Sequence, residues 1–160
     1  MRGLSFKIIL ILCNCILVSR TSLAQIDVGK QVISLELAGV GLFGSVNYER
    51  VFLPREKSFF NARAGIGLTD LRQPSFVHGI TYCRGTSKHF VETGLLGGLG
   101  TTAFGFADAP STIYYLAPMV GYRRHPKKGF LFKAYACPLI PTSAGTPASF
   151  RLGIAFGLAL

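Results

Sequence analysis

Past residue 24 the sequence has only two cysteines, Cys83 and Cys137, which is no disulfide framework. In a strand reading they fall near opposite ends of the molecule, too far apart for the roughly 7 Å Cα spacing that a bridge requires. No apolar run in that part reaches the roughly 20 residues needed by a transmembrane helix. Tryptophan is absent. The three histidines, His78, His89 and His125, share no metal-ligand spacing. Gly94–Gly100 is glycine-rich but lacks a Lys-Ser/Thr pair and a following helical pattern, which excludes a phosphate-binding loop. No cofactor or metal is therefore expected. Acidic residues number 7 against 17 lysines and arginines.

What is present begins with an export segment. In 1–24, Arg2 and Lys7 supply a positive start and Ile8 to Val18 an apolar run. Ser22-Leu23-Ala24 has the small-x-small form of a cleavage site. Leu12 stands before Cys13 where a lipoprotein needs a small residue, so no lipid is expected there. The remainder, 25–160, is of one-domain size. Without Arg2, Lys7 and Arg20 it keeps 14 basic and 7 acidic residues, a net charge of +7. A basic chain can seek nucleic acid, but an exported one does not meet it where it works.

Nearly half the residues are hydrophobic, and glycine is abundant. The pattern is clearest in Phe150-Arg151-Leu152-Gly153-Ile154-Ala155-Phe156-Gly157-Leu158-Ala159-Leu160. Even positions are large and apolar; odd positions are small or charged. Period 2 is the period of a strand. A minor face of Gly and Ala opposite a uniformly greasy face suits lipid outside and a narrow packed lumen inside. A soluble sandwich with an edge strand is the alternative. Without a membrane helix, a membrane protein must be a closed barrel, because open sheet edges are not left unpaired in lipid.

The same alternation and its turn residues predict eight strands, at Gln31–Gly39, Leu42–Leu53, Phe59–Leu68, Phe76–Cys83, His89–Leu99, Ile113–Arg123, Phe130–Ile140 and Phe150–Leu160. The second, sixth and seventh have mixed faces. Connections after strands two, four and six are short, and those after three, five and seven are longer, as periplasmic turns and extracellular loops are in such barrels. The first connection, around Gly39-Val40-Gly41, is an exception, very short for an outer loop. The expected fold is all-β: a membrane-spanning, antiparallel up-and-down barrel of about eight strands, after a cleaved signal peptide.

The chain resembles the small eight-stranded outer-membrane β-barrel proteins of bacteria. Arg151, Gly153, Phe156 and Leu158 fill the C-terminal assembly pattern of that class, although the usual terminal aromatic is missing and the chain runs on to Leu160. Asn47-Tyr48-Glu49-Arg50, Ala62-Arg63-Ala64-Gly65-Ile66-Gly67, Phe90-Val91-Glu92-Thr93-Gly94 and Val120-Gly121-Tyr122-Arg123 look like its strand phrases. The resemblance implies a porin-like, Gram-negative cell-envelope protein in the outer membrane, with lipid and the barrel-assembly machinery as partners. It leaves an envelope protein partner open and supports fold and place more than activity.

Glu36, Arg63, Glu92, Lys133 and Arg151 fall on the lumen face of these strands, with Asn47 and Glu49 as companions. They could form a salt-bridged plug or a polar path for a small solute or proton. An eight-stranded barrel is just wide enough for side chains to fill it, which favours the plug. A catalytic alternative pairs Ser75 with His78 near the outer rim, as in lipid-modifying barrel enzymes, but neither an acidic partner nor their motifs accompany it. The expected function is a non-catalytic structural, anchoring or envelope-associated role. A narrow channel or transport and secretion component is the second reading, and a lipid-modifying enzyme the third.

Tyr48, Phe52, Phe59, Phe60, Tyr82, Phe90, Tyr114, Tyr115, Tyr122, Phe130 and Phe132 lie near strand ends, where interfacial girdles belong. Arg55, Lys57, Arg84, Lys88, Arg123, Arg124, Lys127 and Lys128 gather at or beside the short turns, where anionic phosphates of the inner leaflet or plain solvent would meet them. Mass spectrometry of the exported protein is expected to find Gln25 as the first residue. An intact Met1 or a lipid on Cys13 or Cys15 would overturn the export reading.

Overall fold

Alternating side chains and turn residues give eight strands in the computed structural model, which describes residues 26–69, 73–102, 111–143, 145 and 147–160. The expected signal segment 1–24 lies outside the described residues. The strands are β1 (Gln31–Ala38), β2 (Gly44–Phe52), β3 (Ser58–Leu68), β4 (Pro74–Thr86), β5 (His89–Thr102), β6 (Ser111–Arg124), β7 (Gly129–Pro141) and β8 (Ser149–Ala159). Each pairs antiparallel with the next, and β8 closes onto β1, with Leu35 opposite Phe156 and Glu36 opposite Ala155. The fold is an all-β, closed up-and-down barrel, the expected architecture, and not the sandwich alternative.

The strand bounds differ from the sequence reading where tight turns intervene. β4 runs on to Thr86 because Ser87, at φ 58°, and Lys88 complete the reversal into β5. β2 starts at Gly44 because Gly39–Gly41 is a 3-10 turn flanked by Ala38 at φ 57° and Leu42 at φ 66°. That first connection does not project outward. It tucks into the barrel mouth, which is why so short a segment serves there. Pairing between β6 and β7 lapses between Leu116–Ile140 and Val120–Ala136, a stretch that contains Pro118 and Pro138, which have no N–H to donate.

The outer surface is apolar on every strand. Ile33, Leu35, Leu37, Val46, Ile66, Ile80, Leu95, Val120, Leu152, Ile154, Phe156 and Leu158 are all exposed, Ile66 at 70%. The inward set is buried, and its layers differ in character. Toward the loop rim, Val40 and Leu42 of the tucked turn pack with Val77, Leu96, Tyr115, Met119, Tyr135 and Leu139. Toward the opposite rim, the inner rim, Val28 packs with Val51, Phe59, Cys83 and Phe90, with Ile26 against them. Polar and charged side chains lie between these two layers. Phe59, Phe90 and Tyr115 therefore do not join the outer aromatic girdle. Their positions face inward, where the ends of the lumen need apolar closure. Glycine makes room for the tyrosines: a Cβ on Gly153 would stand 2.5 Å from the Tyr135 ring.

Ile154 and Phe156 occupy the middle of β8 on the exposed face. Ile154→Arg or Phe156→Arg is expected to destabilise the barrel in lipid vesicles by about 2–4 kcal/mol, read by urea unfolding. Ala155→Arg fails for a different reason. Ala155 is buried and paired with Glu36 on one side and Lys133 on the other, so a long side chain there meets a filled layer. An unchanged unfolding midpoint in Phe156→Arg would overturn the assignment of the lipid face.

Candidate functional site

The polar layer is built by inward positions of seven successive strands, each presenting one or two side chains at the same height. Glu36 comes from β1, Asn47 and Glu49 from β2, and Asn61 and Arg63 from β3. Thr81 comes from β4, Glu92 from β5, Arg123 from β6 and Lys133 from β7. Their charges fall into two linked nodes. In the first, Arg63 Nη2 donates to Glu36 Oε2 at 2.6 Å and Arg63 Nε to Asn47 Oδ1 at 3.1 Å. In the second, Glu49 Oε2 accepts from Arg123 Nη1 at 2.6 Å and from Asn61 Nδ2 at 2.8 Å, while Lys133 Nζ donates to Glu49 Oε1 at 3.2 Å. Glu92 Oε1 accepts from Thr81 Oγ1 at 2.7 Å and Arg123 Nη1 at 3.2 Å, with Lys133 Nζ at 3.7 Å.

The side chains of these ion pairs are at most 1% exposed. Charges so far from water persist only when paired and hydrogen-bonded. Three carboxylates meet three cations here, so the layer is electrically balanced. Of the five charges expected on the lumen face, Glu36 and Arg63 form one pair, and Glu92 and Lys133 belong to the second node. Arg151 is half-buried nearer the loop rim, opposite Cys137. Of the other C-terminal pattern residues, Gly153 is buried beside Tyr135, and Phe156 and Leu158 are exposed.

Arg123 corrects the sequence reading. Counted among the basic turn residues, it is instead fully buried at the centre of the second node. β6 runs through Arg124, so Arg123 keeps the inward parity of Tyr115, Ala117 and Met119. The paired arginines at a strand end were the available signal, since alternation sends one of two neighbours inside. His125, just past the end of β6, is fully buried too. Its Nε2 lies 2.9 Å from the Gly29 carbonyl, and its Nδ1 accepts from Arg123 Nε at 3.0 Å. Burial first, then the Arg123 charge, lowers its pKa to about 3, so the ring is neutral with its proton on Nε2.

Both end closures are tied to this layer. Glu36 Oε1 accepts from the Gly41 N–H at 3.3 Å, and Tyr115 and Tyr135 clamp Val40 through its carbonyl and amide, at 2.6 and 3.0 Å. At the inner mouth the strap 26–30 is held by His125 and by backbone bonds, Gly29 N to Pro126 O at 3.0 Å among them.

The catalytic alternative separates in space. Ser75 is buried on the lumen face of β4, while His78 points outward, stacked between Phe76 and Tyr114, with Nε2 3.0 Å from Tyr114 Oη. Cys83 and Cys137 are free thiols in different layers. Among the described residues no cluster of His, Cys, Asp and Glu could hold a metal ion.

No protein-family model matches the chain, and no curated protein matches it significantly. Among solved structures it is similar to the N-terminal β-barrel domain of Pseudomonas aeruginosa OprF, with a TM-score of 0.54 at 12% sequence identity. The match covers 82% of this chain and 98% of that one. At that identity the likeness is one of fold.

Glu49 joins both cations of the second node. Glu49→Ala is expected to cost about 3–5 kcal/mol, because Arg123 and Lys133 would be left buried with Glu92 alone. Glu92→Ala should cost less, since Glu49 still meets both cations. Urea unfolding in vesicles checks the order, and a Glu49→Ala protein of undiminished stability would refute the pairing.

Proposed function

We propose that the protein is an integral outer-membrane barrel of a Gram-negative envelope, reached through a cleaved signal peptide. Its role is structural or anchoring, without catalysis and without solute flow. The observation that carries this reading is the filled interior: an ion-paired layer enclosed by two apolar layers, with a turn folded into one mouth and a strap across the other. A sheet apolar on its outside and ion-paired on its inside is stable where lipid replaces water as the surrounding solvent. The barrel fold shared with the OprF domain supports the placement.

In this reading Arg151, Gly153, Phe156 and Leu158 present the C-terminal assembly signal to the insertion machinery, and an envelope partner would be met through the connections after β5 and β7. Glu36, Arg63, Glu92 and Lys133, with Glu49 and Arg123, serve as a plug. Purified protein in a planar bilayer is expected to show no steady conductance, and Glu92→Ala, though less stable, to remain silent. Regular ohmic steps of nanosiemens scale would replace the plug with a channel.

A further inference from the structure

The lumen charges balance, so the surplus positive charge of the chain lies elsewhere, and it lies at one rim. With Arg123 taken inside, the other basic residues of the short turns remain around the inner rim, joined by exposed Lys30 and Arg50. The acids described there are Asp27, which pairs with Lys127 at 3.0 Å in the open, and exposed Glu56. The loops at the opposite rim contain in sequence only Arg72, against Asp70 and Asp108. Those three lie outside the described residues.

One sector of this rim is shaped for an amphiphile. On the outer face of β4, β5 and β6, Arg84 lies across from Val91, which lies across from Tyr122. One step nearer the rim, Thr86 lies across from His89, which lies across from Arg124. Arg84 and Arg124 are thus two strands and one row apart, about 12 Å, a gap that two long side chains can close on a single phosphate. Arg124 is steadied by donating from Nη1 to the Phe130 carbonyl at 2.8 Å. His89 Nδ1 and Tyr122 Oη, 2.5 Å apart, add polar groups at the same height. On the same outer face Tyr122, Phe132 and Phe156 form a continuous aromatic shelf with centroid spacings of 6.4 and 5.6 Å, Phe132 standing directly across from Arg124.

We propose that this sector, Arg84, Lys88, His89, Tyr122 and Arg124 beside the Phe132 shelf, binds the headgroup phosphate of anionic phospholipid in the adjoining leaflet. The proposal rests on the barrel spanning a membrane. Charge complementarity selects an anion, and the apolar shelf that adjoins it selects one that carries acyl chains. A soluble acidic polymer would use the cations but leave the shelf uncovered. Each basic group at a membrane surface favours anionic lipid by roughly fivefold.

The test reconstitutes the protein in nanodiscs of equal phosphatidylcholine and phosphatidylglycerol, releases it into mild detergent, and identifies retained lipid by native mass spectrometry. Folding is checked for every variant by the shift between unheated and boiled samples on a gel. The original protein is expected to retain phosphatidylglycerol over phosphatidylcholine by about tenfold or more. R84Q/K88Q/R124Q is expected to fold and lose the preference, while R55Q/K57Q, on another part of the same rim, keeps most of it. Equal retention of the two lipids by the folded protein, or an undiminished preference in the triple variant, would overturn the lipid site while leaving the barrel intact. Binding of the folded protein to heparin without lipid preference would also overturn it, in favour of a soluble polyanion. Absence of a gel shift in any bilayer would overturn the site and the membrane reading together.

Discussion

Glu49 accepting from Arg123 and Lys133 inside a dry barrel is the interaction on which the other layers lean. Eight strands enclose a space that side chains must fill, and the closed wall keeps water from charges within. A carboxylate there is tolerated only if cations reach it from neighbouring walls. Here they reach it from β6 and β7, across the lumen from β2. The pairs therefore do more than neutralise charge. They tie opposite walls at one height, and replacing one partner strands the other in a medium where solvation cannot compensate.

The two mouths depend on that layer through single groups. Glu36 gives one oxygen to Arg63 and the other to the Gly41 amide, so the same carboxylate serves the ion pair and the tucked turn. Arg123 gives Nη1 to the carboxylates and Nε to His125, whose other nitrogen meets the strap at Gly29. His125 has to stay neutral for this, since a charged ring could not accept from a guanidinium. Burial and the adjacent Arg123 keep it so. The backbone strain at Ala38 and Leu42 is held by the tyrosine clamp on Val40 between them.

Charge is thus divided by location. Inside, both signs occur in equal measure and are consumed in pairs; outside, one sign dominates one rim. The first arrangement stabilises a closed interior, and the second gives the barrel an electrostatic polarity along its axis. Membrane phosphates at that level would be drawn to that rim.

Much of this was readable along the chain. Period 2 with Ile154, Phe156 and Leu158 on one face set the strand type, and for a chain read as membrane-spanning the absence of a helical span left closure as the way to satisfy the backbone. Glu36, Arg63, Glu92 and Lys133 were assigned to the lumen face by parity alone, because side-chain direction in a strand is a local property. Which of them touch is not local. Glu49 and Arg123 are 74 positions apart, and only strand order and register bring β2 and β6 to face one another at one height. Arg123 was read as a turn residue because a strand end cannot be located to one residue from composition. A shift of one position moves a side chain from rim to lumen. Phe59, Phe90 and Tyr115 were misplaced for a related reason, since an aromatic near a strand end serves a girdle or a plug according to parity. The chain alone determined the strands, their two faces and the basic surplus. The tertiary structure decided the ion-pair partners, the closing of both mouths and the gathering of that surplus on one rim, because each depends on residues far apart in sequence meeting across a closed sheet.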